Sequence, residues 1–358
     1  MKDLLSDAVE SYMRHRTSQN YSKGTLKVDR QVLTKFLAVT GNVYCHQIGH
    51  RHVERHFEEV SKTRQAASLK NDHGVLVRFF KWCRHTGRMP IDSDPMFGRR
   101  QPKPVKRERN RLHVSRFTEL LEAAEARDPR DRALCALLLY TLGRDSEVTD
   151  LRIRDLDLSA GWLKVRIHKT GQEDTLPVSV ELDKEMRRWL THYASVSGPL
   201  EDWYHLVPAR GVFPIKDDKG RIIKHESVYR PHKKIGGAGR IVNPILEKIG
   251  FPVVDENGKP SGEGSHTIRR SGARALFDDL VDGGYDHSLR IVQSLLHHAS
   301  VTMTEKYIGI SADRRSRDDI IRGKMMYHQP DTDNVLRMRT GTHGNTDHQA
   351  EGVRPLSE

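Results

Sequence analysis

The sequence lacks any run of about 18 apolar residues, the length that a helix needs to cross a bilayer. Its first residues, MKDLLSDAVESYMRHR, mix apolar and charged positions, which excludes a secretory signal peptide. We therefore expect a cytoplasmic protein with no membrane partner. Apolar residues make up 36% of the chain, which is enough for ordinary cores over 358 residues.

Cysteine is also scarce. Cys45, Cys83 and Cys135 lie far apart, so they predict neither a disulfide framework nor a zinc site, and they suit a reducing compartment. His225 and His232 likewise lack the spacing of metal ligands. The sequence therefore predicts no metal site.

Positive charge is present in excess and is unevenly distributed. The net charge is +12, and residues 1–110 hold 22 Lys and Arg against 11 Asp and Glu, so nearly all the excess lies in this part. A basic region beside a near-neutral one indicates a polyanion partner, with nucleic acid favoured. The alternative is a solvated basic face that has no partner.

Residues 1–95 have the pattern of a small all-α domain of four or five helices. Apolar residues recur at helical spacing in the first 16 positions. Ser22 is a candidate N-cap for a second helix that stops at Gly41, and a long apolar helix is predicted to end at Gly87.

Residues 96–112 break the helical pattern and read as an extended basic linker. Prolines 102 and 104 oppose a helix through most of the segment. A basic linker that crosses a duplex would neutralise phosphates without reading sequence, although it could also be merely solvated. The candidate DNA-binding residues are Arg99, Arg100, Lys103, Lys106, Arg107 and Arg109.

Residues 113–327 predict a second domain, with helices around a small β-sheet. A helix start is predicted at Ser115, and the apolar run ALCALLLYTLG predicts a buried central helix. WLKVRIH and DTLPVSV predict a β-hairpin with Lys169 near its turn, and the 200–264 region predicts short strands around a DDKG turn. The whole chain is thus mostly α with a small β-sheet, and residues 328–358 form a polar tail expected to be disordered.

The segment from His298 to Tyr307 suggests the chemistry. A phenol has a reference pKa of about 10, so a nucleophilic tyrosine needs cations and a proton acceptor nearby. Arginine suits the charge that develops on phosphate oxygens. The chain offers Arg144 with Glu147 three positions later, Lys169, and His266 with Arg269 on one helix turn. Taken alone, Tyr307 would be interpreted as a packing residue, and Lys169 as a solvated turn residue.

This ordered set resembles the tyrosine recombinases, the phage-integrase family of site-specific DNA recombinases. The resemblance covers roughly residues 1–325 and implies a helical core-binding domain before an α+β catalytic domain. It implies that two arginines clamp the scissile phosphate, a lysine protonates the leaving 5′ oxygen, two histidines assist, and a tyrosine attacks to leave a 3′-phosphotyrosyl link. The residues carrying these roles would be Arg144, Arg269, Lys169, His266, His298 and Tyr307, with Glu147 supporting Arg144.

Two positions depart from the family pattern. The family usually has a glycine directly before the second histidine, where this chain has His297. It usually has Thr-Gly-Leu/Met-Arg at the first arginine, where this chain reads Thr141-Leu142-Gly143-Arg144. The 200–264 region also looks longer than in compact members, and no separate arm-type DNA-binding domain is expected before the core-binding domain.

The implied partners are double-stranded DNA with specific core sites and further copies of the chain. The resemblance implies a homotetramer on synapsed DNA, with a C-terminal helix around Asp318 to Met326 docking on a neighbour or packing on its own domain. It implies a nucleoid-associated enzyme that needs no cofactor, neither metal nor ATP. Two alternatives remain: an inactive DNA-binding protein of the same fold, and a type IB topoisomerase.

Overall fold

A computed structural model describes residues 3–103, 109–253 and 263–310. The chain divides into two compact units, Met1–Arg107 and Glu108–Glu358. The predicted fold class is confirmed, since helices predominate and the strands are few. The predicted C-terminal helix and polar tail lie outside the described residues. Within the described ranges, no helix is both long enough and apolar enough to cross a membrane.

The N-terminal unit is helical, and its helix signals act as predicted. The Ser22 hydroxyl accepts a hydrogen bond from the backbone N–H of Thr25 at 3.1 Å, which caps the second helix. That helix ends at Gly41, whose φ of 81° suits glycine. The α-helices are α1 (Leu5–Ser18), α2 (Lys23–Thr40), α3 (His50–Ser61) and α4 (Ala66–His85).

Aromatic side chains from these helices form the core of the N-terminal unit. The ring of Tyr12 meets Phe79 edge to face at 5.4 Å, and Phe36 meets Phe80 in the same way at 5.6 Å. Burying one such side chain stabilises a fold by about 1.5–3 kcal/mol. Met96 is buried in the same core, so the segment predicted as linker begins inside this unit.

The C-terminal unit holds eight α-helices within its described residues. A 3-10 turn, Val114–Arg116, precedes the first of them, so the helix predicted to start at Ser115 begins at Phe117 instead. The helices are α5 (Phe117–Glu125), α6 (Pro129–Tyr140), α7 (Asp145–Asp150), α8 (Val180–Ser197), α9 (Gly239–Lys248), α10 (Ser265–Leu280), α11 (Tyr285–Leu296) and α12 (Val301–Ile308).

Helix α6 is the buried centre of this unit, as its apolar sequence predicts. Asp128 caps it by accepting a hydrogen bond from the backbone N–H of Arg130 at 2.8 Å. Helix α10 packs against α6 where Gly272 lies, because a Cβ at that position would be 2.1 Å from the carbonyl oxygen of Leu139. This close approach brings Arg269, one turn earlier on α10, beside the end of α6.

The first sheet has three antiparallel strands in the order β1 (Leu156–Asp157), β2 (Trp162–Arg166) and β3 (Glu173–Pro177). Leu163 pairs with Leu176 and both are buried, so the sheet packs one face on the core. Lys169 lies in the turn between β2 and β3, as the hairpin pattern predicts.

The second sheet is a two-stranded antiparallel ribbon of β4 (Pro208–Lys216) and β5 (Ile222–Lys234). The turn at DDKG was predicted correctly, but the prediction of short strands was wrong, since they span nine and thirteen residues. Backbone pairing runs from Pro208 with Lys234 to Lys216 with Ile222. This pairing extends the strands through positions where the side-chain pattern carries no strand signal.

Candidate active site

Arg144 and Glu147 form a compact unit at the start of α7. Glu147 Oε2 accepts a hydrogen bond from the backbone N–H of Arg144 at 2.8 Å, and its Oε1 accepts from Arg144 Nη1 at 2.8 Å. Glu147 is 2% exposed. Burial acts to raise the pKa of its carboxyl, but the hydrogen bonds from Arg144 and the charge of Arg269 lower that pKa overall. Glu147 is therefore an anion that holds Arg144 in position.

Arg269 reaches the same place from α10. It is 2% exposed, and its Nη2 donates to the carbonyl oxygen of Leu296 at 2.8 Å. Arg144 Nη2 donates to that same oxygen at 3.4 Å, and Arg269 Nη1 lies 3.6 Å from Glu147 Oε2. Two guanidinium groups from distant parts of the chain are therefore held side by side. Arg269 Nη1 has no hydrogen-bond partner among the described residues, which leaves a buried donor available to a ligand.

The turn before Arg144 explains how this chain departs from the family pattern. Leu142 has a φ of 54°, in the left-handed region that glycine adopts readily. At Gly143, a Cβ would lie 2.7 Å from Cγ2 of Val148, so the glycine is needed there for space. The shifted glycine thus serves a packing need, and the left-handed turn is made by a leucine.

His297, at the end of α11, is a second position where a larger residue replaces the glycine of the family pattern. Its φ of 51° places a non-glycine residue in the left-handed conformation where the family usually has glycine. Its Nε2 lies 2.8 Å from Oδ2 of Asp174, on strand β3. His297 is thus directed toward the sheet and not toward the two arginines.

His298 faces the candidate nucleophile. Its Nδ1 lies 3.1 Å from Oγ1 of Thr304, and its ring meets the Tyr307 ring edge to face with centroids 5.2 Å apart. Burial, together with the charges of Arg269 and Arg144, lowers the pKa of His298 to about 4. The imidazole is therefore neutral at pH 7.

Tyr307 lies on α12, a short helix capped by the hydroxyl of Ser300. Its Oη donates to the backbone carbonyl of His266 at 3.3 Å, and the Arg269 guanidinium carbon lies 5.9 Å from its ring centroid. Burial raises the pKa of the Tyr307 phenol, while Arg269 and Arg270 act in the opposite direction. Ionisation of this phenol therefore depends on the neighbouring cations and on a group that accepts its proton.

His266 and Lys169 flank this cluster. The His266 side chain, on the first turn of α10, lines a cleft of about 410 Å³ together with Arg144. Partial burial and the nearby Arg269 lower the pKa of His266. The Lys169 side chain is exposed and forms no hydrogen bond or ion pair with the described residues, and its charge contributes to the lowered pKa of His298. The structure thus brings Arg144, Arg269, His298 and Tyr307 into one cluster, while His266 lines the cleft beside Arg144 and Lys169 acts on His298 only through its charge.

Several contributors were missed by the sequence analysis. The Leu296 carbonyl, which orients both arginines, carries no side-chain signal at all. Thr304 and Asp174 are ordinary residues whose contacts with His298 and His297 depend on how separate elements pack. A pairing of Asp174 with His297, 123 positions apart, leaves no local pattern to detect.

The candidate DNA-binding residues of the basic segment lie in varied surroundings. Arg99 pairs with Glu54 and stacks on Phe57, with its guanidinium carbon 3.8 Å from the ring centroid, so it is engaged within the N-terminal unit. The other described candidates, Arg100, Lys103 and Arg109, are exposed, whereas Lys106 and Arg107 lie outside the described residues.

The cluster has the composition of a phosphate site. Two fixed guanidiniums and the neutral imidazole of His298 lie near a phenol, which fits transfer of a phosphoryl group to that oxygen. Over the ranges that the structure describes, no group of His, Cys, Asp and Glu side chains has an arrangement suited to a metal ion.

Residues 110–314 match the sequence model of the phage integrase family. The tyrosine recombinase XerC of Lactobacillus delbrueckii subsp. bulgaricus is 26% identical over 268 residues, which is 74% of this chain and 79% of that protein. The tyrosine recombinase XerA of Pyrococcus furiosus is 24% identical over 314 residues, covering 87% and 92%.

Solved structures show the same fold at lower identity. A lambda integrase dimer bound to a COC′ core site has a TM-score of 0.62 and 18% identity, covering 86% of this chain and 77% of that one. The integrase of transposon Tn1549, in complex with a circular intermediate DNA, has a TM-score of 0.58 and 15% identity, covering 89% and 99%.

Proposed function

Since this chain belongs to the phage integrase family of tyrosine recombinases, we propose that it cuts and rejoins DNA strands at specific sites through a 3′-phosphotyrosyl intermediate. The observation that carries the proposal is the convergence on Leu296. Arg144 and Arg269 both donate to its carbonyl oxygen, two positions before His298, whose ring contacts Tyr307. This arrangement supports a phosphate held between two guanidiniums and next to the phenol.

In the proposed step, Tyr307 Oη attacks the phosphorus and the bond to the 5′ oxygen breaks. The Tyr307 proton passes to a nearby base, for which His266 is the candidate because it lines the cleft and its lowered pKa keeps it unprotonated. Lys169 gives a proton to the leaving 5′ oxygen, and its exposed turn supports access to a strand lying in the cleft. One phosphodiester is exchanged for another, so the step requires no nucleotide to drive it.

His298 is proposed to donate a hydrogen bond to a non-bridging phosphate oxygen. A neutral imidazole carries one proton, and the Thr304 hydroxyl, 3.1 Å from Nδ1, can donate to that nitrogen. The proton then sits on Nε2, which leaves an N–H donor for the phosphate. Thr304 thereby sets which nitrogen is the donor.

Duplex DNA with core sites is the proposed substrate, bound by both units. The N-terminal unit, residues 1–107, holds 21 Lys and Arg against 10 Asp and Glu, which supports a large share of the phosphate contacts for this unit. Arg100, Lys103 and Arg109 are proposed DNA contacts, as are Lys106 and Arg107 outside the described residues. A homotetramer on synapsed DNA is proposed by analogy with a lambda integrase tetramer bound to a Holliday junction.

The test is a covalent adduct on a nicked duplex taken from DNA flanking the gene, where the free 5′ end diffuses away after cleavage. The wild-type chain is expected to form an adduct that resists denaturant, disappears with protease, and persists in chelator. Tyr307→Phe keeps the packing and removes the nucleophile, so the DNA mobility shift should remain and the adduct should be lost. An adduct formed by Tyr307→Phe would overturn the proposal. Strand exchange that requires two copies of one site separates a recombinase from a type IB topoisomerase.

A further inference from the structure

The ribbon of β4 and β5, residues 208–234, takes no part in the chemistry proposed above. Beyond Pro208, none of its described side chains is buried. Nine residues at about 3.3 Å each give β4 a length of about 30 Å. A two-stranded hairpin is marginally stable by itself and leaves both backbone edges unpaired. Its exposed length therefore points to a partner outside the chain.

The charge of the ribbon indicates what kind of partner this is. Residues 208–234 contain eight Lys and Arg against three Asp and Glu, whereas the rest of 111–358 contains 30 against 34. The ribbon is thus the basic part of an otherwise slightly acidic stretch. One of its three acids, Asp217, is engaged in the turn, where Oδ1 accepts from the backbone N–H groups of Lys219 and Arg221. A polyanion is the complementary partner.

The base of the ribbon is fixed firmly to the C-terminal unit. Tyr229 Oη donates to Asp128 Oδ1 at 2.7 Å, and Arg210 pairs with the other oxygen of the same carboxylate. Arg130 Nη1 donates to the carbonyl oxygen of Pro208 at 3.2 Å. Since Asp128 also caps the buried helix α6, the direction in which the ribbon leaves the unit is set by the core.

The end of β5 reaches the rim of the candidate active site. Lys234 Nζ lies 2.6 Å from Asp150 Oδ1, and Asp150 Oδ2 lies 2.9 Å from Nε2 of His168, next to Lys169. Lys234 also lines the 410 Å³ cleft that Arg144 and His266 line. DNA that places a phosphate in this cleft therefore passes the base of the ribbon.

The strand register argues against a protein partner. Opposite and alternate residues share a face, so Val212 and Phe213 lie on opposite faces, and both are exposed. The ribbon therefore lacks the single apolar face that forms the core of a protein interface. Lys224 and Arg230 are exposed cations on the face of Phe213, whereas Arg210, on the face of Val212, is paired with Asp128 at the base.

We propose that the ribbon lies in a groove of duplex DNA beside the scissile phosphate and neutralises phosphates that border that groove. The major groove of B-DNA, about 12 Å wide, admits a two-stranded ribbon, and exposed cations such as Lys224 and Lys233 can then meet the phosphates that border it. This inference rests on the proposed function, because it places the duplex by the cleft. It assigns to the ribbon an affinity for flanking DNA that does not depend on the catalytic residues.

The test compares two matched double variants of the full chain. Lys224→Gln with Lys233→Gln removes two exposed ribbon cations, and Lys184→Gln with Lys248→Gln removes two exposed cations from α8 and α9. Binding to a labelled 40-base-pair duplex of arbitrary sequence is measured from 50 to 200 mM NaCl. The ribbon variant should lose roughly tenfold or more in affinity and lower the slope of log K against log salt by about 2, while the control changes neither.

A photo-crosslinking residue at position 224, with position 184 as control, identifies the occupant. Crosslinks from 224 to the duplex support the proposal, whereas crosslinks to a second copy, or an unchanged salt slope, overturn it. The adduct assay on wild-type protein keeps the two proposals apart. If the wild-type protein forms the adduct but the ribbon variant keeps the wild-type salt slope, only the ribbon inference is wrong. If the wild-type protein forms no adduct, the proposed function is wrong.

Discussion

His297 Nε2 lies 2.8 Å from Asp174 Oδ2, so the residue before His298 is fastened to the strand that follows Lys169. The left-handed backbone at His297 turns its side chain toward β3. A glycine at this position would permit the same turn but would provide no such contact. The chain therefore ties its lysine-bearing hairpin to the end of α11 through a side chain.

Asp174→Asn should loosen this hairpin and slow strand cleavage about threefold to tenfold, because Lys169 would be held less well near the leaving oxygen. The measurement is the rate of adduct formation with an ordinary substrate and with a 5′-bridging sulfur, a better leaving group. The sulfur substrate should restore most of the rate. Glu173→Gln on the same strand is the control, because Glu173 contacts Lys164 instead. A defect that the sulfur substrate leaves unchanged would assign Asp174 a general structural role.

His298→Ala should slow cleavage by about 10²-fold, the usual loss for one transition-state donor, since its ring meets Tyr307. His297→Gly should cost less, because it removes the Asp174 contact while placing glycine in a left-handed conformation. Single-turnover adduct rates at saturating protein compare the two variants. A larger defect for His297→Gly would show that the wrong histidine had been assigned to the phosphate.

Gly272→Ala should destabilise the C-terminal unit by about 3 kcal/mol, because the added Cβ would lie 2.1 Å from the Leu139 carbonyl oxygen. Separation of α10 from α6 would also displace Arg269 and reduce adduct formation. Chemical denaturation measures the free energy of unfolding. Gly283→Ala is the control, since a Cβ there meets nothing within 4 Å, and it should leave both properties near wild type. Equal stability of the two variants would contradict the close helix contact.

His56→Phe should stabilise the N-terminal unit, most of all at acid pH. His56 is fully buried beside Phe36 and Phe57, and neither ring nitrogen has a hydrogen-bond partner among the described residues. Burial and the charge of Arg64 lower the pKa of its imidazole to about 4. The unfolded chain protonates this imidazole near pH 6.5, whereas the folded chain does so only near pH 4. As pH falls from 6.5 toward 4, the free energy of unfolding therefore decreases, by up to about 3 kcal/mol.

Hydrogen exchange of α2 and α3 peptides between pH 7 and 4.5 measures this effect. His56→Phe should slow exchange, after correction for intrinsic rates, and should weaken its pH dependence. His46→Gln, which changes an exposed histidine of the same unit, should behave like wild type. An undiminished pH dependence in His56→Phe would show that another group is responsible.

The sequence by itself determined most of the helices, the hairpin turn and the set of candidate residues for a phosphate site. These features are local: Ser22 caps the helix that follows it, and the apolar run before Arg144 predicts a buried helix wherever that helix packs. The order of Arg144, Lys169, His266, Arg269, His298 and Tyr307 is also a property of the chain alone.

Tertiary structure decided which groups meet and which are already engaged. Leu296 orients both arginines through a backbone oxygen, which no residue type reveals. Arg99 pairs within its own unit although its neighbours in sequence suggest a free basic strip. The length of the ribbon depends on backbone pairing between strands, and its direction depends on Asp128, 101 positions before Tyr229. Contacts over such separations arise from packing the whole chain, so local patterns do not contain them.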